Sequence, residues 1–193
     1  ETYYLKVFVT EGIQASGFNF NLCIAKDSTP PPVNDECLNA VSLTVNPDLS
    51  CVGGVEGSTL GATVSTMLPT ASCAGTGVQN DVWFKFVATT TQINVQVKTG
   101  GAEGTIQYPY VALWESDGMT QIGCTNYTSQ YSDLEIGYPS LTIGNTYYFS
   151  VDNHNGSAGY RGTFKICLQD VATNDFYEAA TDVSSIINSC SAN

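Results

Sequence analysis

The chain has 193 residues, a mass of 20.6 kDa and a net charge of −12, from 6 Lys+Arg against 18 Asp+Glu. Charged residues make up only 12 %, where a globular domain carries about 25 %, and the deficit lies in Lys and Arg. Such a chain cannot neutralise a phosphate backbone, has no run of about 18 apolar residues to cross a membrane as a helix, and at 42 % hydrophobic residues is not a disordered chain.

An internal repeat organises the sequence. Residues 2–24 (TYYLKVFVTEGIQASGFNFNLCI) align without a gap to 146–168 (TYYFSVDNHNGSAGYRGTFKICL). Thr2, Tyr3, Tyr4, Val7, Phe20 and Cys23 meet Thr146, Tyr147, Tyr148, Val151, Phe164 and Cys167. Asn34, Asp35, Ala40 and Ser50-Cys51 likewise meet Asn174, Asp175, Ala180 and Ser189-Cys190. Residues 1–26 are therefore expected to be the closing hairpin of a preceding unit. Residues 27–33 form a joint stiffened by Pro30-Pro31-Pro32, 34–170 make one complete unit, and 171–193 open the next.

Within the complete unit the pattern is β. A single capped turn fits Asp35 to Leu43. In 81–87 Val82, Phe84 and Phe86 share one face, and in 93–98 Ile93, Val95 and Val97 do so. Residues 110–114 place Val111 and Leu113 together, and 146–151 with 162–168 form a closing hairpin. Turns are marked at Thr99-Gly100-Gly101, Ser116-Asp117-Gly118 and Ile143-Gly144-Asn145. About eight short strands in this length describe an all-β fold, an antiparallel, jelly-roll-like β-sandwich.

Chemistry is sparse. The single histidine, His154, sits in the polar turn 152–156, reads as solvated, and accompanies no nucleophile elbow. Glu115, Asp117, Asp133 and Glu135 fall in loops or turns with no sign of a shared cleft. No enzyme is expected. Asp35, Asp81 and Asp152, with Asn34, Glu36 and Asn153, could offer oxygens to a structural calcium ion, although the commoner role of such residues is to cap turns. No other cofactor is expected. For a glycan the candidates are Trp114, whose side chain alternates away from the apolar face, and Tyr127 and Tyr131 in the tip-like stretch 127–138. Trp83 alternates outward as well, and Tyr108, Tyr110 and Tyr138 complete the aromatic pool.

Seven dispersed cysteines without a CxxC pair point to an oxidising, extracellular setting. Cys51 and Cys73 flank a Gly- and Thr-rich segment and are expected to pair. For Cys37, both Cys167 and Cys23 are open; the Tyr177 that stands at the equivalent place in the next unit favours Cys167.

NDECLNAVSL (34–43), DVWFKF (81–86), VALWESDG (111–118), IGC (122–124), SLTIGNTYYFSV (140–151) and GTFKICL (162–168) occur in that order. This series resembles the PPC-like (pre-peptidase C-terminal-like) β-sandwich repeats of type IX-secreted surface proteins and gliding-type adhesins. The resemblance implies a non-catalytic repeat module of a large extracellular cell-surface adhesin or filament, extending a fibre and mediating surface or glycan contact. Its partners would be neighbouring repeats and surface polysaccharide. The alternative is a carbohydrate-binding accessory module of a secreted hydrolase or peptidase. It also implies that Cys124 lacks the turn cysteine that accompanies it in such modules, leaving a buried thiol, and that Asp27-Ser28-Thr29 offers Ser28 for O-glycosylation. Asn126-Tyr127-Thr128 and Asn155-Gly156-Ser157 match the N-glycan sequon.

Overall fold

A computed structural model of the chain describes residues 4–7, 21–23, 29–46, 51, 53–65 and 68–170. Ser28, Cys190, the segment 171–193 and most of 1–26 lie outside the described residues.

The chain forms two sheets packed face to face. After a 3-10 turn at Cys37–Asn39 come β1 (Val41–Ser42), β2 (Val45–Asn46), β3 (Val55–Ser58), β4 (Val82–Val87) and β5 (Ile93–Lys98). Then follow β6 (Pro109–Trp114), β7 (Gln121–Asn126), β8 (Leu134–Tyr138), β9 (Thr146–Asn153) and β10 (Thr163–Asp170). The first sheet has the order β1-β4-β9-β6-β7, the second β2-β10-β5-β8, with β3 also on β10. The sandwich is antiparallel except at its opening. There β1 runs parallel to β4 and β2 parallel to β10, because one extended segment crosses from the edge of the first sheet to the edge of the second within Leu43 and Thr44. The turn expected over Asp35 to Leu43 shrinks to the three residues of the 3-10 turn and has no side-chain cap.

Alternation builds the core. Val82, Phe84 and Phe86 of β4 and Tyr147, Phe149 and Val151 of β9 face Ile93, Val95 and Val97 of β5 and Phe164, Ile166 and Leu168 of β10. Phe86 stacks on Phe149 at 5.2 Å, and Phe84 meets Phe164 edge-on at 5.9 Å across the sheets. Such pairs add about 0.5–1.5 kcal/mol each beyond the area they bury.

The outer face of the first sheet is covered as well. The connection from β3 to β4 passes over it as a strap, and Ala40, Ala71 and Ala74 close over Trp83, Tyr110, Ala112 and Trp114. All six residues of β6 are buried as a result. Trp83 and Trp114 point away from the core, as their spacing predicts, yet are 0 % and 1 % exposed. Small, irregularly spaced strap residues let the backbone lie flat on the two indoles, 5.8 Å apart.

The strap is tied to β7 by a Cys73–Cys124 disulfide (Cα–Cα 5.9 Å), by reciprocal bonds between Ser72 and Gln121, and by Asn126 Nδ2 donating to the Cys73 carbonyl at 3.2 Å. A second disulfide joins Cys51 to Cys167 (Cα–Cα 5.6 Å). The expected Cys51–Cys73 and Cys37–Cys167 pairs are thus corrected, as is the free Cys124. Cys167 alternates with the core residues Ile166 and Leu168 and so faces outward from the second sheet, whereas Cys73 lies over the outside of the first. Closeness in sequence could not reveal that Cys51 and Cys73 sit on opposite outer faces. Among the described residues Cys37, half-buried under the strap, and Cys23, exposed, have no disulfide partner. Loops of 51 and 116 residues correspond to roughly 4 to 5 kcal/mol per bond in the chain-entropy account. Two disulfides fit a chain folded in an oxidising compartment.

Candidate functional site: an aromatic tip above buried carboxylates

Strand register gathers four connections at one end of the sandwich: the strap's last residues, 99–108, 127–133 and 154–162. Tyr108 binds three of them together. Its N–H donates to the Gln130 carbonyl at 2.8 Å, and its carbonyl accepts from the His154 N–H at 2.7 Å. Beside it, Gln107 N–H donates to the Tyr160 carbonyl at 3.0 Å and Tyr127 N–H to the Pro109 carbonyl at 2.9 Å. Tyr108 holds φ at +50° and Asn155 at +67°, the two non-glycine residues in the left-handed region among those described. That region costs an L-residue about 1–2 kcal/mol, so the surrounding bonds over-determine both positions, a pattern found at binding sites.

The rings follow the loops. Tyr108 meets Tyr160 at 4.8 Å and Tyr127 at 5.0 Å, and Tyr127 meets His154 at 5.2 Å, all edge-to-face. Tyr131 is 48 % exposed and Tyr160 37 %. On the rim Gln130 Nε2 donates to Gln107 Oε1 at 2.7 Å. Ser132 Oγ accepts from the N–H groups of Thr128 and Ser129 and shapes the loop carrying Tyr127 and Tyr131. Strap residues brace the turn from below: Asn155 N–H donates to the Ala74 carbonyl at 3.0 Å, and Asn155 Oδ1 accepts from Thr76 N–H at 3.2 Å.

Of the glycan candidates, Tyr127 and Tyr131 lie at this tip. Trp114 does not. Its indole is sealed beneath the strap, with Nε1 donating to Ser150 Oγ at 3.0 Å, so it has no surface to offer a ligand. His154, read as a solvated turn residue, is instead half-buried against Tyr127 with its Nδ1 enclosed. His154 and Tyr160 were not legible as tip residues; the only signal was a Gly-rich turn with an aromatic at its far end.

Beneath the tip, on the outer face of the first sheet, Asp35, Asp81 and Asp152 are all buried. Each accepts local hydrogen bonds. Asp35 Oδ1 takes Thr63 N–H at 2.8 Å, Asp81 takes Ser65 Oγ, and Asp152 takes Asn80 N–H at 2.7 Å and Asn153 Nδ2 at 3.0 Å. Burial, reinforced by the charge of Asp81, pushes Asp152 up to about 7 against its backbone hydrogen bonds and Arg161. Burial raises Asp81 too, with the charge of Asp35 adding to it. Tyr110, whose hydroxyl donates to Gln79 Oε1, is held well above its ordinary value by burial and by the charges of Asp152 and Asp81. Burial lifts the Cys37 thiol to about 11, which keeps it protonated and unreactive at neutral pH.

Among the described residues no three His, Cys, Asp or Glu side chains are grouped so as to hold a metal ion. Each of the three aspartates accepts hydrogen bonds from the strap or its neighbours. The other carboxylates are also dispersed. Asp117 caps the β6–β7 turn through Met119 and Thr120, which holds its carboxyl below the usual range, while Asp133 pairs with Lys98 at 3.2 Å at the tip end.

No protein-family model matches the sequence, and no curated protein matches it. Solved structures do resemble the fold. The periplasmic inhibitor of g-type lysozyme from Aeromonas hydrophila is 13 % identical with a TM-score of 0.33, covering 67 % of this chain and 99 % of that one. A family 35 carbohydrate-binding module from an environmental isolate is 14 % identical with a TM-score of 0.35, covering 64 % and 90 %. The carbohydrate-binding module CBM36 in complex with calcium and xylotriose is 12 % identical with a TM-score of 0.29, covering 59 % and 98 %. Likeness at this level says nothing of a ligand, so function has to come from the side chains.

Proposed function

We propose that the chain is a non-catalytic module of a large extracellular cell-surface protein, an adhesin or filament built from such units, and that it contacts a surface or glycan through its aromatic tip. One observation carries this reading. Both strained non-glycine residues, Tyr108 and Asn155, belong to the loops that gather Tyr108, Tyr127, Tyr160 and His154 at one end of a rigid sandwich. Strain retained in a loop cluster with exposed aromatic edges is what a pre-set binding surface requires. The dispersal of Asp117 and Asp133 to opposite ends supports a module without hydrolytic chemistry.

The sequence repeats favour a fibre over the alternative, an accessory module steering a secreted hydrolase or peptidase to polysaccharide. The parent sequence separates the two, since further units argue for the fibre and an adjoining catalytic domain for the accessory role. The tip itself is tested by measuring retention of the purified chain on immobilised polysaccharides. Tyr131→Ala, at an exposed position, is expected to lower retention at least tenfold. Unchanged retention would remove the tip from the proposal.

A further inference from the structure

The geometry of the tip points to a narrower ligand: a single, uncharged oligosaccharide chain, as opposed to a flat crystalline face or an acidic polymer. This rests on the glycan reading of the tip given above and goes on to define its chemistry.

Ring geometry disfavours a flat partner. Tyr108 meets Tyr127 at 73° and Tyr160 at 67°, and Tyr127 meets His154 at 70°. Rings in contact set nearly at right angles cannot share one plane, so a crystalline polysaccharide face would find no continuous platform across neighbouring rings. A stepped relief of ring edges and hydroxyls instead suits a slender chain that offers each ring a different side of a sugar.

Charge disfavours an acidic partner. The lysines at this end are engaged, Lys98 with Asp133 at 3.2 Å and Lys165 with Glu103 at 4.0 Å. A uronate would find Arg161 as the one remaining cation of the tip loops, on a chain whose net charge is −12. At low salt that repulsion reaches about 30 Å.

Neutral hydrogen bonding is what the rim supplies. Gln107 and Gln130 share one bond of 2.7 Å. A primary amide has two donors and an acceptor with two lone pairs, so this bond leaves both amides with capacity for vicinal hydroxyls. Thr128 and Ser129 add hydroxyls on the same loop. The backbone bonds that pin Tyr108 set the cluster before the ligand arrives, which lowers the ordering cost of binding.

The test is calorimetric titration of the purified chain at low salt with three probes: soluble neutral hexasaccharides (xylohexaose, cellohexaose, laminarihexaose), polygalacturonate, and a suspension of microcrystalline cellulose. At least one hexasaccharide is expected to bind ten or more times tighter than polygalacturonate or cellulose. Gln130→Ala, at an exposed position, is expected to weaken that binding at least fivefold with near-ultraviolet circular dichroism unchanged. Tyr160→Ala serves as a second variant, so that a folding defect in either one does not decide the matter. Tightest binding to polygalacturonate, or to cellulose alone, would overturn the neutral single-chain class while keeping a glycan-binding tip. No binding to any probe would overturn the glycan reading itself.

Discussion

Asp152 is fully buried, and its pKa of about 7 in the folded chain lies above the ordinary carboxylate value of 3.8. The folded state therefore holds the proton more tightly than the unfolded state. Its stabilising contribution is complete below the unfolded value and is lost as the pH rises through 7. Asp81 shifts in the same direction for the same cause. Urea midpoints measured from pH 4 to pH 8 are expected to fall with rising pH, and Asp152→Asn is expected to flatten the trend. A midpoint that rises across this window would contradict the burial argument. The left-handed residues make a second prediction at this scale. Asn155→Ala should destabilise the chain by about 1–2 kcal/mol. Asn155→Gly should cost less, because glycine adopts φ of +67° freely and forfeits only the acceptor of Thr76 N–H.

The strap is the element that sequence periodicity could not foresee. Alternation correctly sends Trp83 and Trp114 away from the core. A period of two says which way a side chain points, however, and is silent on whether that side is covered. The residues that cover it, Ala71 and Ala74 among Ser72, Gly75 and Gly77, carry no periodic signal. For the same reason the cysteine pairs were illegible, since each joins an outer face to a segment without regular structure. The core strands, by contrast, were readable, because β4, β5, β6, β9 and β10 carry long alternating or continuous apolar runs. The openers β1 and β2 pair over only two residues each and left no pattern. At the tip, Tyr127 and Tyr131 stood out as aromatics in a polar loop, while the partners of Tyr108 depended on which loops the topology brings together. Replacing Cys73 and Cys124 by serine should cost up to about 4 kcal/mol in the chain-entropy account. It should also move tryptophan emission to longer wavelength as water reaches the indoles. Unshifted emission would show that packing alone holds the strap.

At the scale of the whole molecule, the scarcity of Lys and Arg that excluded nucleic acid also shapes how units would assemble. On the fibre reading proposed above, a unit over 34–170, with 4 Lys+Arg against 12 Asp+Glu and so a net charge of −8, repels a like neighbour at low salt. Two consecutive units expressed together are expected to scatter X-rays as an extended pair whose radius of gyration grows as salt is removed. A compact, salt-independent pair would argue for a fixed interface in place of a jointed fibre. The tip is the aromatic end of an acidic chain. The most direct test of its proposed role is to titrate a neutral hexasaccharide into the isotopically labelled chain and map the amide shifts by nuclear magnetic resonance. Shifts confined to Tyr108, Tyr127, Gln130, Tyr131 and Tyr160 are predicted. Shifts clustered at the opposite end of the sandwich, around Ser116 to Thr120, with the tip unmoved, would contradict it.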